Sequence, residues 1–145
     1  GCEIAEDQPY REFDVAIDFA EDVGPFPVEI AQRIKQIFES RGAKAKVSSI
    51  HVNAWFGEFD KLTGVQRYLE EELDMDLGSE LNSVLFIGDS PNDEVLFGFL
   101  PITVAVAGIE RFLPFMRARP AYITSAKGGA GFAEALRVIL QKRAA

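Results

Sequence analysis

Apolar and polar positions along the chain follow two different rhythms. Residues 11–19 (REFDVAIDF) place Phe13, Val15, Ile17 and Phe19 at period two, which predicts a strand with one buried face. Over residues 28–40 the apolar positions Ile30, Ile34, Ile37 and Phe38 adopt helical spacing, and Arg41-Gly42 predicts the stop. Residues 44–56 (KAKVSSIHVNAWF), rich in β-branched and aromatic side chains, read as a second strand. Residues 60–73 set Leu62, Val65, Leu69 and Leu73 on one helical face, with Asp60 as the N-cap.

From residue 83 onward the alternation disappears. Residues 83–87 (SVLFI) form a continuous apolar run that stops at Gly88-Asp89, as expected of a strand buried on both faces of a parallel sheet. Residues 91–99 predict a short helix with Pro91 in its first turn, where a missing N–H costs little. Further strands are expected at residues 102–106 (ITVAV) and 121–124 (AYIT). Residues 132–141 predict a closing helix with Phe132, Leu136, Ile139 and Leu140 inward and Lys142-Arg143 at its negative end. Residues 110–118 stay unassigned because Pro114 interrupts them. Strands alternating with helices predict an α/β protein built on a parallel sheet.

Composition narrows the class. The 145 residues are 48% hydrophobic and 26% charged, a globular balance that excludes a disordered chain. There are 23 acidic residues against 15 basic ones, a formal net charge of -8. Nucleic acids and anionic membranes are bound through Lys/Arg density, so neither is an expected partner. Cys2 is the single cysteine, which excludes an internal disulfide and a cysteine-based zinc site. No run approaches about 18 apolar residues, and GCEIAEDQPY has neither a basic nor an apolar signal region. A cytoplasmic location is the expectation.

The string that carries chemistry is SVLFIGDSPNDEVLF, residues 83–97. An apolar strand ends in Gly88-Asp89-Ser90-Pro91-Asn92-Asp93 and passes directly into a helix. Ligands of open α/β sheets bind at the carboxyl ends of strands. Gly88 permits a sharp turn, Asp89 projects hard oxygens into the crevice, and Asp93 returns a second carboxylate to the same side. Such ligands suit Mg²⁺ together with a substrate phosphate, although a helix N-cap explains the same residue types without any function. Lys61, in EFDKLTGVQRYL, opens a helix whose amino end prefers anions, which hints that its ammonium faces an anion.

With Lys61 and the Gly88–Asp93 string in this order, the sequence resembles the haloacid dehalogenase-like (HAD) superfamily of Mg²⁺-dependent phosphohydrolases. The likeness is to the branch holding sucrose-phosphate and mannosyl-3-phosphoglycerate phosphatases. Asp60-Lys61 resembles that family's lysine motif, residues 88–93 its GDSxND motif, and Gly128-Gly129-Ala130-Gly131-Phe132 the loop before its last helix. Residues 11–61 resemble the end of the cap inserted in this branch. The resemblance implies an α/β fold: part of an α/β cap over residues 1–57, then the carboxyl-terminal half of a Rossmannoid core over residues 58–145. It implies Mg²⁺ as the cofactor, with Asp89 ligating it directly and Asp93 binding its waters or orienting Lys61. Asn92 would hydrogen-bond near the phosphate, and Lys61 would be catalytic and phosphate-binding, offsetting charge on the nucleophile and the phosphoryl oxygens.

The family's DxDGT nucleophile motif lies upstream of the cap, as does its phosphate-binding Ser/Thr, and neither occurs here. Two pairs mimic the nucleophile. Asp18 and Asp22 follow a strand but are spaced DxxxD; Asp74 and Asp76 are spaced DxD but follow a helix and the lysine. Both read as decoys. His51, the single histidine, reads as a strand residue, or as a cap residue facing the cleft; Trp55 and Arg11 read as packing and solvated charge. The expected function is therefore a phosphomonoester hydrolase acting on a small sugar phosphate or phosphorylated acid, with its nucleophile supplied from outside this chain. An upstream segment, or a second copy, is expected to cover an exposed sheet edge. The alternative is a non-catalytic α/β module, degenerate HAD-like or flavodoxin-like, that binds a ligand or partner.

Overall fold

Alternation between residues 11 and 19 produces strand β2 (Asp14–Asp18), which lies inside an antiparallel sheet. Its companions are β1 (Glu3–Ile4), β3 (Lys44–Val47) and β4 (His51–Trp55), in the order β1, β2, β4, β3. The structure, a computed structural model, describes residues 1–143 and separates into two compact units, Gly1–Glu58 and a second opening at Phe59. In the first unit, Val15 and Ile17 stand opposite Ala54 and Val52, which in turn oppose Ala45 and Val47. These six residues share one face, and helix α1 (Val28–Ser40) packs on it through Ala31. Just past α1, Gly42 takes φ +83°, a left-handed conformation that favours glycine and turns the chain back toward β3.

Two expectations for this unit fail. Residues 44–56 form a hairpin, β3 and β4, instead of one strand. The turn is held by the Ser48 hydroxyl, which accepts the His51 N–H at 2.8 Å and donates to the His51 carbonyl at 3.0 Å. It has no glycine, proline or asparagine to announce it. The period-two face of β2 departs from expectation at its start: Phe13 is 76% exposed although Phe19 is buried, and Ala16 and Asp18 on the opposite face are buried as well. The loop after β2 wraps around the Asp18 carboxylate and covers that end of the second face.

The second unit begins with helix α2 (Lys61–Glu71), where Asp60 and Thr63 form a capping box, each side chain accepting the other's backbone N–H at 2.9 Å. A parallel sheet follows, ordered β5 (Leu85–Gly88), β6 (Ile102–Ala107), β7 (Tyr122–Lys127). Between β5 and β6 come a 3₁₀ turn at Pro91–Asp93 and helix α3 (Glu94–Phe99), which buries Leu96 and Phe97. Residues left unassigned around Pro114 form two 3₁₀ turns, Ile109–Arg111 and Leu113–Phe115; Phe112 between them is buried, whereas Phe115 is exposed. Helix α4 (Gly128–Arg143) starts four residues earlier than the periodicity suggests and presents a different stripe. Gly131 and Ala135 face the sheet, and Phe132, Leu136 and Leu140 are exposed. The cause is close approach: a Cβ at Gly131 would lie 2.2 Å from the Ala126 carbonyl and 2.6 Å from Thr124 Oγ1, so only the small side of α4 fits against β7. No helix among the described residues is long and apolar enough to cross a membrane.

The Asp18 loop gives the first prediction. Burial works to raise the Asp18 carboxyl, but four backbone N–H groups (Ala20, Glu21, Asp22, Val23) outweigh it and hold it below the usual aspartate range. Asp18→Asn keeps the shape but turns an NH₂ toward two of those donors. Denaturant unfolding at pH 7 is expected to show a loss of about 1–3 kcal/mol. A depressed folded carboxyl stabilises fully above the unfolded value of about 3.9, and the gain is lost as pH falls through the folded value. The gap between wild type and variant therefore narrows in acid.

Candidate active site at the carboxyl end of β5

Strand β5 stops at Gly88, and the next five residues form a tight turn around one carboxylate. Asp93 is only 2% exposed. Its Oδ2 accepts the backbone N–H of Asp89 at 2.9 Å and of Ser90 at 3.2 Å, and its Oδ1 lies 2.5 Å from Lys61 Nζ. Lys61 reaches it from the first turn of α2, and also donates to Asn92 Oδ1 at 3.2 Å. Ser90, buried, donates its hydroxyl to the same Asn92 oxygen at 2.7 Å. Lys61 thus bonds both Asn92 and Asp93, with the backbone of Asp89 in the same network. The Asp89 side chain is exposed, and its carboxylate has no hydrogen-bond partner among the described residues.

Gly88 makes this possible. A Cβ there would lie 2.6 Å from Asp93 Oδ2, 2.8 Å from its Cγ and 2.9 Å from its Cβ. The missing side chain is the space the carboxylate occupies. The electrostatics divide the two aspartates. Asp93 has its oxygens filled by N–H donors, whereas Asp89 offers open, hard oxygens of the kind that suit Mg²⁺, which is held by one or two carboxylates and keeps several waters. The Asp89 carboxylate is of the type such an ion takes, and Asp93 is turned inward to the lysine.

In the other two aspartate pairs, Asp18 and Asp76 are bonded within their own loops. Asp76 accepts the Gly78 N–H at 2.8 Å and the Ser79 hydroxyl at 2.7 Å, bonds that hold its carboxyl below the usual range. Asp74 adopts φ +51° in the turn after α2. The Asp18 carboxylate is enclosed by its four N–H donors. Asp18, Glu21 and His51 bring ligand-type atoms within 4.8 Å of one another, a cluster the sequence did not announce. Glu21 Oε2 lies 2.8 Å from His51 Nε2, off the line of a hydrogen bond, so the contact counts as an ion pair whenever the imidazole is protonated. With two donors on each Asp18 oxygen, the cluster lacks a third open ligand. Arg11 is likewise engaged, bidentate to Asp7 at 2.7 and 2.8 Å and bonded to Asp14 at 2.9 Å. The residue to which sequence reasoning gave no role is Ser90, although it is the serine of the GDSxND-like string at residues 88–93.

The chain matches no family model and no curated protein. Several solved structures share its fold. A Thermoplasma acidophilum protein, 0175, superimposes with a TM-score of 0.62 at 20% identity, over 94% of this chain and 54% of that one. The sucrose-phosphatase of Synechocystis sp. PCC6803, solved with sucrose and phosphate, gives 0.63 at 18% identity, over 94% and 55%. The HAD subclass IIB sugar phosphatase BT4131 gives 0.59 at 14% identity, over 92% and 46%. This chain spans about half the length of these structures. At such identities the likeness establishes the fold: an α/β architecture with a parallel sheet and flanking helices, as in HAD superfamily phosphatases.

Gly88→Ala tests the packing beneath the site. The added methyl must displace the Asp93 side chain, so the variant is expected to lose about 1–3 kcal/mol in denaturant unfolding. Lys61 and Asn92 amide or side-chain resonances should shift with it. A variant as stable as wild type would show that Asp93 does not depend on the missing Cβ.

Proposed function

We propose that this chain is the metal- and phosphate-orienting part of a phosphomonoester hydrolase of HAD type, acting on a small sugar phosphate or phosphorylated acid. The observation that carries the reading is the Lys61–Asn92–Asp93 cluster beside an open Asp89 carboxylate at the carboxyl end of a parallel strand. In this reading residues 1–57 belong to a cap and residues 58–145 to the core, and Asp89 is the ligand for Mg²⁺. Bound there, the ion would offset charge on the phosphoryl oxygens. Asp93 holds the Lys61 ammonium in one place, leaving its remaining N–H free for a phosphoryl oxygen. Asn92 directs its amide at the same group. Fixed donors of this kind favour the transferring phosphoryl group because they need no rearrangement as charge develops.

The attacking carboxylate belongs to a segment outside this chain. Two features support that reading: Asp18 and Asp76 are tied to donors, and β5 is an edge strand of a parallel sheet. Parallel sheets are normally buried, and an apolar edge is open to pairing. On one face of the sheet a cavity of about 370 Å³ lies between α4 and strands β5 to β7, lined by Leu85, Ile102, Val104 and Val138. An added strand beside β5 with its own helix would cover this surface; a second copy of the chain is the other occupant the test can reveal.

The test has two arms. Titrating Mg²⁺ into the chain should move the amide resonances of residues 88–93, and Asp89→Asn should abolish the response. Phosphate release from an aryl phosphate should be absent for this chain alone and appear when a segment carrying an aspartate-bearing strand is supplied. Absence of any Mg²⁺ response would favour the non-catalytic ligand- or partner-binding module. Turnover by this chain alone, removed by Asp18→Asn or Asp74→Asn, would overturn the assignment of an external nucleophile.

A further inference from the structure

The Asn92 amide is fixed by two neighbours that can only be satisfied one way. Lys61 Nζ, 3.2 Å away, carries donors and no lone pair, so the amide atom facing it must be the oxygen. Ser90 Oγ stands 2.7 Å from that same oxygen and supplies a second donor. A carbonyl oxygen has two lone pairs, and both are taken. Flipping the amide would set its NH₂ against an ammonium and leave the Ser90 hydroxyl without its acceptor. The Ser90 hydroxyl in turn has little freedom: the residue is 2% exposed, and its next acceptor, Asp93 Oδ2, is 3.5 Å away. The two N–H groups on Asn92 Nδ2 consequently point away from Lys61 and Ser90. They have no partner among the described residues, and Asn92 is only half-buried.

We infer that Ser90 is a positioning residue: its buried hydroxyl, acting with Lys61, locks Asn92 so that this amide presents only its N–H donors to the ligand. The inference rests on the phosphohydrolase reading above and refines it. The group that fits is one rich in lone pairs and free of protons on the facing oxygens, an ionised phosphoryl group. Without the Ser90 donor the amide oxygen keeps one bond, to Lys61, and the amide is held less firmly.

The test is a double-mutant cycle on the 145-residue chain with inorganic phosphate as probe at saturating Mg²⁺, followed by NMR. Ser90→Ala is expected to weaken phosphate binding about fivefold to tenfold, the scale of one lost neutral hydrogen bond. Asn92→Ala should weaken it at least as much. The double variant should be no weaker than Asn92→Ala, because Ser90 acts only through the amide. The Asn92 side-chain NH₂ resonances should also shift or broaden in Ser90→Ala before any phosphate is added. Ser90→Cys, which keeps the volume and weakens the donor, is measured in parallel in case the alanine variant does not fold. Additive losses, or unchanged affinity in both Ser90 variants, would overturn the positioning role and leave the phosphohydrolase reading intact. A wild-type chain that responds to neither Mg²⁺ nor phosphate would take down both.

Discussion

The second unit of this protein is organised around one buried carboxylate. Desolvating an aspartate costs several kcal/mol unless it is paired and hydrogen-bonded. Asp93 meets that requirement with the Lys61 ammonium on one oxygen and two backbone N–H groups on the other. The consequence is geometric. The end of β5, the turn after it and the first turn of α2 are all anchored to the same two oxygens, and Gly88 leaves the space in which they sit. Lys61 stands at a helix end whose dipole disfavours cations. Asp93 and Asn92 are what offset that disadvantage, and they hold the lysine ammonium in one place.

The two units solve the burial problem differently. The first pairs its strands antiparallel, and a single helix covers one face, leaving the other to polar networks such as Arg11 with Asp7 and Asp14. In the second, the strands are parallel, and β5 and β6 are apolar nearly throughout, so both of their faces need cover. Helix α4 supplies part of it, through its small residues, and β5 remains at an edge with its residues half-buried.

Long-period features were legible in the sequence and short-range hydrogen-bonded ones were not. The spans of α1 and α2, the capping role of Asp60 and the parallel strands followed from apolar spacing, cap chemistry and continuous apolar runs. The hairpin at residues 48–50 did not, because a serine hydroxyl does there what glycine or asparagine usually does. The inward stripe of α4 was misread for a related reason: period identifies a face, but close approach to β7 selects the one with glycine and alanine over the one with phenylalanine and leucine. In the site, the carboxylates and the lysine stood out by residue type, whereas Ser90 is chemically ordinary until its oxygen is seen against Asn92.

What the sequence determined by itself is the inventory and its order: a lysine at a helix start, an apolar strand, and a Gly-Asp-Ser-Pro-Asn-Asp turn at the strand's end. Those are local properties, set by propensity, capping and spacing within a few residues. What residue type and spacing left open, and the family resemblance only implied, is which of the two aspartates is exposed and which is consumed. Asp89 and Asp93 are the same residue type four positions apart, and nothing in their spacing separates them. Their difference arises because α2 delivers Lys61 across a sequence gap of 32 residues onto Asp93, while Gly88 makes room for that carboxylate and leaves the other exposed.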